Sequence, residues 1–256
     1  MHIVIFTGGT VPPPERTEQF FSCAPAADYV IAADSGLDSL EQFRAYFGSR
    51  FRFSPDLILG DMDSLKDTSL LEKYSSVPSE QFSCDKDFTD TELALMKAHS
   101  LAAGTQAQIT LAGGSGGCTD HFIAVYDSFS SKFHANVWLC EQQIAFFLGE
   151  GMTAGIFQLR PEDRVSAARL TREFSGSRME SCGLEWGSFR PEGMASISNR
   201  ISGRCFEQGL PVSLRSVKGS FLVFMPYTAR FQIPFETMET VRTNRKTTAE
   251  TDPSRT

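Results

Sequence analysis

The chain has 256 residues, 41 % of them hydrophobic, and a formal charge of −7. That length serves one large domain or two modest ones, and that hydrophobic share builds a core, which excludes a disordered chain. The acidic balance and the lack of any Lys/Arg run exclude a nucleic-acid binder or an anionic-membrane binder, and a phosphate ligand would need a metal to supply positive charge.

Six cysteines, at 23, 84, 118, 140, 182 and 205, form no Cys-x-x-Cys pair, which argues against a zinc or thioredoxin-type site. No basic leader precedes the first apolar run, and no apolar stretch reaches membrane-spanning length. Free thiols in a reducing cytoplasm are therefore expected.

His2–Phe6 reads as a strand, and Thr7-Gly8-Gly9-Thr10 follows as a tight loop. A glycine loop after a first strand suits phosphate binding, but the G-x-G-x-x-G fingerprint and a Walker lysine are missing, so a plain turn explains it as well. Three prolines at 12–14 interrupt the chain, and a helix is expected within 16–23. Tyr29–Ala33 is a second strand ending in Asp34-Ser35-Gly36. An aspartate at a strand's carboxyl end faces the crevice where α/β sheets bind ligands, and it can equally cap a helix. That helix is expected over 37–46, with Leu37, Leu40, Phe43 and Phe47 at helical spacing.

Residues 55–64, Pro-Asp-Leu-Ile-Leu-Gly-Asp-Met-Asp-Ser, read as a buried strand entering an acidic turn. If the strand direction persists, Asp61 and Asp63 point to the same side. Adjacent carboxylates repel unless a cation sits between them, and oxygen donors suit magnesium. A solvated turn with two surface aspartates is the alternative. A helix is expected over 66–74. The charged group Asp85, Lys86, Asp87 and Asp90 comes next. Thr89 and Glu92, ahead of Leu93, Met96 and Leu101, have capping-box spacing. That places Asp90 in a first helical turn, where the dipole favours anions. Lys86 either contacts phosphate or belongs to a solvated loop.

Residues 107–112 form another strand, which enters Gly113-Gly114-Ser115-Gly116-Gly117-Cys118-Thr119-Asp120-His121. Four glycines in five positions allow close approach to a ligand. Thr119 is expected to cap a helix beginning at Phe122. His121 is structural or ligand-facing. Four strand ends, near Asp34, Asp61, Asp87 and Gly114, thus carry acidic or glycine-rich turns, and in a parallel sheet they share one rim.

After about residue 133 the pattern changes to short β-like runs at 136–140, 143–148, 155–159, 164–167 and 220–225. The expected fold is an α/β N-terminal domain with a mainly parallel sheet over 1–133, followed by an all-β antiparallel sandwich domain over 134–235. The tail 236–256, rich in Thr, Arg, Lys and Glu, is expected to be disordered. Within the second domain, Trp186 is a core or interface residue unless a ligand stacks on it.

This ordered set resembles the thiamine pyrophosphokinase (thiamine diphosphokinase) family. The family pattern has an Ala-Asp-Gly-Gly-like turn, Pro-Asp-x-x-x-Gly-Asp-x-Asp-Ser, Asp-x-Thr-Asp, Gly-Gly-x-Gly-Gly-Arg-x-Asp-His, Gly-Leu-x-Trp and Ser-x-Ser-Asn. The chain supplies residues 33–36, 55–64, 87–90, 113–121, 183–186 and 196–199 in that order. Ser35 replaces a glycine, and Cys118 stands where the family usually has an arginine suited to clamping phosphate. The resemblance implies transfer of diphosphate from ATP, as co-substrate, to the hydroxyl of thiamine, giving AMP. It implies a catalytic and Mg2+-holding set of Asp61, Asp63 and Asp90, with Asp90 accepting the alcohol proton. It assigns nucleotide binding to Asp34, Lys86, Thr89, Gly114, Gly116, Asp120 and His121. Trp186, Ser198 and Asn199 would line the thiamine pocket, formed between subunits of a homodimer. Two alternatives stand beside it: a diphosphotransferase for another alcohol such as a pterin, and a nucleotide- or thiamine-binding protein without turnover, which Cys118 keeps open.

Overall fold

A computed structural model describes residues 1–82, 87–170, 176–186 and 196–234; Lys86 and the 236–256 tail lie outside the described residues. Two compact units result. The first takes Met1–Phe147, Leu170 and Leu222–Thr228, and the second takes Leu148–Arg169, the described residues of 173–221, and those from Ala229 on.

In the first unit the apolar runs become strands β1 (His2–Phe6), β2 (Tyr29–Ala33), β3 (Leu57–Gly60), β4 (Ser79–Gln81), β5 (Gln108–Ala112), β6 (Val137–Leu139) and β7 (Ile144–Leu148), joined later by β13 (Phe221–Met225). Their order is β13-β7-β6-β5-β1-β2-β3-β4. β1 is parallel to β2 and β5, β2 to β3, β3 to β4 and β5 to β6, while β7 runs antiparallel to β6. Strands covered on both faces need apolar side chains on both, which is why they read as continuous runs. Even His2 is buried, with Nδ1 2.7 Å from the Pro25 carbonyl and Nε2 3.0 Å from Thr110 Oγ1. Burial lowers its pKa, so the ring is neutral.

Among the described residues this unit has the α-helices α1 (Glu18–Cys23), α2 (Gly36–Phe47), α3 (Ser69–Lys73), α4 (Asp90–Leu101) and α5 (Thr119–Ser128). Leu37, Leu40, Phe43 and Phe47 are buried along α2, as their spacing predicts. Phe43 meets Phe6 edge to face with centroids 5.0 Å apart. The helix expected over 66–74 is shorter because Asp67 Oδ1 accepts from the backbone N and Oγ of Ser69 and so turns the chain first. α5 starts at Thr119, not at Phe122. Cys118 takes the N-cap position without a side-chain capping bond.

α2 sits close on β1. A Cβ on Gly36 would stand inside the van der Waals envelope of the Phe6 carbonyl and 2.7 Å from the Thr7 nitrogen. Backbone atoms cannot swing aside as a side chain can. Gly36→Ala is therefore expected to cost about 3 kcal/mol or more, the upper range for overpacking. Thermal melting would show a drop of roughly 6–12 °C for a chain of this size, and an unchanged melting curve would refute the close-approach argument.

The second unit contains β8 (Thr153–Phe157), β9 (Val165–Arg169), β10 (Arg178–Cys182), β11 (Ser196–Asn199), α6 (Gly203–Glu207), β12 (Val212–Lys218) and β14 (Arg230–Gln232). β10, β12, β8 and β14 form a four-stranded antiparallel sheet in that order, and β9 pairs antiparallel with β11. The antiparallel character matches the sequence expectation, but α6 means the unit is not all-β. β6 and β7 also follow residue 133, yet they extend the first unit's sheet. A short apolar run carries no mark of which sheet it joins. Among the described residues no helix is long and apolar enough to cross a membrane.

Candidate active site

Because β1, β2, β3 and β5 are parallel neighbours, their carboxyl ends share one edge, where Thr7, Asp34, Asp61 and Gly113 follow the strands. Asp34 comes directly after β2 with a left-handed backbone, φ 49°, and its N–H donates to the Leu59 carbonyl at 2.8 Å. After β3 the strand direction does not persist. Met62 is left-handed, φ 62°, and the Asp63 N–H turns back to Asp61 Oδ1 at 3.4 Å. The turn still converges the carboxylates: one oxygen each from Asp34, Asp61 and Asp63 all lie within 4.8 Å of one another.

Two features of this cluster call for a cation. Three carboxylates this close repel. In addition, Asp34 Oδ1 is buried without a hydrogen-bond partner, while Oδ2 accepts from Ser35 Oγ at 3.4 Å. A buried charged oxygen left so is costly unless a cation completes it. The donors are all oxygen, which fits magnesium and does not select zinc. The residues present therefore fit a hard divalent ion.

The close set differs from the expected metal set: Asp34 is in it and Asp90 is not. Asp90 nevertheless borders the same turn. Its Oδ1 lies 3.0 Å from where a Cβ on Gly60 would stand, and the Asp34 Cβ lies 3.2 Å from that point. The chain at Gly60 has no room for a side chain because two site residues press on it. α4 delivers Asp90 through the capping box that the sequence predicts. Thr89 Oγ1 accepts from the Glu92 N–H at 3.2 Å, and Glu92 Oε2 accepts from Thr89 N at 2.8 Å and Oγ1 at 2.9 Å. The Thr89 hydroxyl is thus engaged in starting the helix. Thr7 Oγ1 and Thr91 Oγ1, 2.6 Å apart, tie that first turn to the end of β1.

The two glycine loops interlock. Gly114 N–H donates to the Gly8 carbonyl at 2.9 Å, Ser115 N–H to Thr10 at 3.3 Å and Thr10 N–H to Gly116 at 3.3 Å. A Cβ on Gly116 would meet Thr10 Oγ1 at 2.5 Å, and one on Gly114 would meet Val125 Cγ2 at 3.0 Å. Gly116 is small because the Thr10 loop packs on it and Gly114 because Val125 of α5 does, an origin the sequence does not distinguish from a ligand cradle. The loop has an anchor that sequence reasoning missed: Trp138 Nε1 donates to the Gly113 carbonyl at 2.7 Å. Cys118, Asp120 and His121 are exposed where α5 begins, and Asp120 Oδ1 accepts from the His121 N–H at 3.0 Å.

The expected thiamine residues belong to the second unit. Trp186 is 55 % exposed, and the Arg200 guanidinium lies 5.4 Å from its ring centroid. Ser198 is exposed with φ 52°, and its N–H donates to Ser166 Oγ at 2.9 Å. Asn199 is 2 % exposed and fully engaged. Its Oδ1 accepts from the N–H groups of Trp186 (3.3 Å) and Arg200 (2.9 Å), and its Nδ2 donates to the Trp186 carbonyl (2.8 Å) and Ser196 Oγ (3.3 Å). The asparagine expected to line a pocket is instead a buried brace for the backbone of Trp186.

Residues 21–139 match the family model described as thiamin pyrophosphokinase, catalytic domain. The stretch 21–139, a little under half of the chain, is thus similar to a thiamin pyrophosphokinase catalytic domain. The matched span ends with β6 and includes Asp34, Asp61, Asp63, Asp90 and the Gly114 loop; Trp186, Ser198 and Asn199 lie beyond it. No match was found among curated protein sequences. The fold is shared with solved thiamin pyrophosphokinase structures. That from Candida albicans has TM-score 0.62 at 15 % identity, covering 88 % of each chain. A family protein from Enterococcus faecalis has TM-score 0.61 at 18 % identity, covering 88 % of this chain and 99 % of that one. The Bacillus subtilis enzyme gives the same four figures, 0.61, 18 %, 88 % and 99 %.

Proposed function

We propose that this chain transfers the diphosphate group of ATP to the hydroxyl of thiamine and releases AMP. The observation that carries the reading is the convergence of Asp34, Asp61 and Asp63 within 4.8 Å, inside a matched thiamin pyrophosphokinase catalytic domain. In the reaction the thiamine hydroxyl oxygen bonds to the β-phosphorus, the bond from that phosphorus to the α-bridging oxygen breaks, and AMP carries that oxygen away. Positioning and charge neutralisation supply most of the catalysis in such transfers. Mg2+, held by Asp34, Asp61 and Asp63, would neutralise triphosphate charge. Asp90, beside the same turn, is placed to accept the alcohol proton on a carboxylate oxygen. The interlocked glycine loops, with Asp120, His121 and Lys86, are assigned to the nucleotide.

Thiamine is a cation with two flat rings, and the exposed Trp186 face with Ser198 suits it. Asn199 contributes by holding that tryptophan. The arrangement proposed is a cytoplasmic homodimer whose second domain, an antiparallel sandwich, helps form the vitamin pocket. Binding without turnover is the second reading, and the exposed Cys118 in place of a cationic clamp favours it.

Purified protein with ATP, Mg2+ and thiamine should give thiamine diphosphate and AMP in equal amounts by mass spectrometry, both lost on adding a chelator. ADP with thiamine monophosphate would overturn the proposal. Bound ATP with no product would support the second reading, and Cys118→Arg should then restore turnover.

A further inference from the structure

α2 begins two residues after Asp34, so that carboxylate is carried at the head of the helix. The same helix grips the segment bearing Asp61 and Asp63. Asp38, in its first turn, accepts from two successive backbone N–H groups, Lys66 at 2.9 Å on Oδ2 and Asp67 at 3.1 Å on Oδ1. Glu41, three residues on and so on the same helix face, accepts from Lys73 Nζ and the Tyr74 hydroxyl. The chain from 61 to 74 is thus strapped to α2 twice. The two straps are unequal. The Lys73–Glu41 pair is partly exposed and contributes little by itself. A carboxylate taking two backbone N–H groups is charge-assisted and fixed in direction. Burial raises the Glu41 pKa, but hydrogen bonds from Lys73, Tyr74 and Arg44 outweigh it and keep the group ionised.

We infer that Asp38, supported by Glu41, is a positioning residue that uses α2 as a ruler between Asp34 and the Asp61–Asp63 turn. This rests on reading those three carboxylates as the metal-holding set. Partners that orient metal ligands are worth about 10–100-fold in metal affinity. The sequence signal is an acidic pair three apart at the start of an apolar helix, easily taken for solvated surface.

The test measures Mn2+ uptake by the full chain, from the loss of the aqueous Mn2+ electron paramagnetic resonance signal, together with hydrogen exchange at the Lys66 and Asp67 amides. Asp38→Ala should weaken Mn2+ binding by about tenfold and speed exchange at both amides. Should Asp38→Ala not fold, Asp38→Asn keeps the volume and one acceptor, and it should show a smaller weakening in the same direction. Faster exchange at both amides with wild-type Mn2+ affinity would overturn the ruler and leave the metal site standing. A wild-type chain that takes up no Mn2+ would overturn the metal site and the ruler together.

Discussion

Asp34→Asn is expected to lower thiamine diphosphate formation by about a hundredfold or more, the scale for removing one preorganised electrostatic partner of a transition state. The amide keeps the side chain's shape and can keep the Ser35 contact, so the melting temperature should hold while turnover falls. The comparison with Asp90→Asn makes this decisive. Asp34 lies in the close carboxylate set and Asp90 does not. Asp34→Asn should therefore weaken Mn2+ binding as well as turnover, whereas Asp90→Asn should slow turnover with Mn2+ affinity nearly intact. Steady-state rates at saturating ATP and Mn2+ titrations of both variants check this. Equal metal loss in the two variants would return Asp90 to the ligand set that the family resemblance implies. A loss of less than threefold in Asp34→Asn would remove the cluster from the chemistry.

Trp138→Ala is expected to be the most destabilising of the core substitutions considered. The side chain is fully buried, 5.7 Å between ring centroids from both Phe122 and Phe129. Truncating a buried tryptophan costs about 3–5 kcal/mol, and the Gly113 carbonyl would also lose its indole donor. Roughly 6–20 °C should come off the melting temperature of a chain this size. Trp138→Phe separates packing from anchoring. It retains most of the ring, so the melting temperature should fall by only a few degrees, but the glycine loop is released. The KM for ATP should then rise severalfold with kcat little changed. A Phe variant with wild-type KM would mean that the Gly113 loop is held without Trp138.

The first half of the fold was legible because parallel strands buried on both faces show as unbroken apolar runs. β1, β2, β3 and β5 are of this kind, each with a glycine or aspartate within two residues of its end. The α4 start was equally plain, since a capping box is a local device written in four residues. β12 has buried Val212, Leu214 and Ser216 in strict alternation and was not extracted, because a serine occupies one of the three inward positions. β10 has a single fully buried residue, Met179, and offers no pattern. At the site, the acidic turn was legible but its partner was not. Whether Asp34 or Asp90 stands with Asp61 and Asp63 depends on a left-handed turn at Met62, which residue type does not announce. Asn199 entered the thiamine set through the family resemblance alone, and a motif does not tell a residue that faces a pocket from one that braces a backbone.

Asp34 and Met62 hold left-handed backbone without being glycine, a conformation that costs on the order of 1 kcal/mol at each position. Glycine at either place would relax that cost, so selection for heat resistance alone would favour it. At position 34 the relaxed chain would lack the carboxylate that turns toward its two neighbours. A laboratory search for thermostable variants is therefore expected to enrich catalytically silent ones at this position, and a useful screen must score product together with survival of the fold.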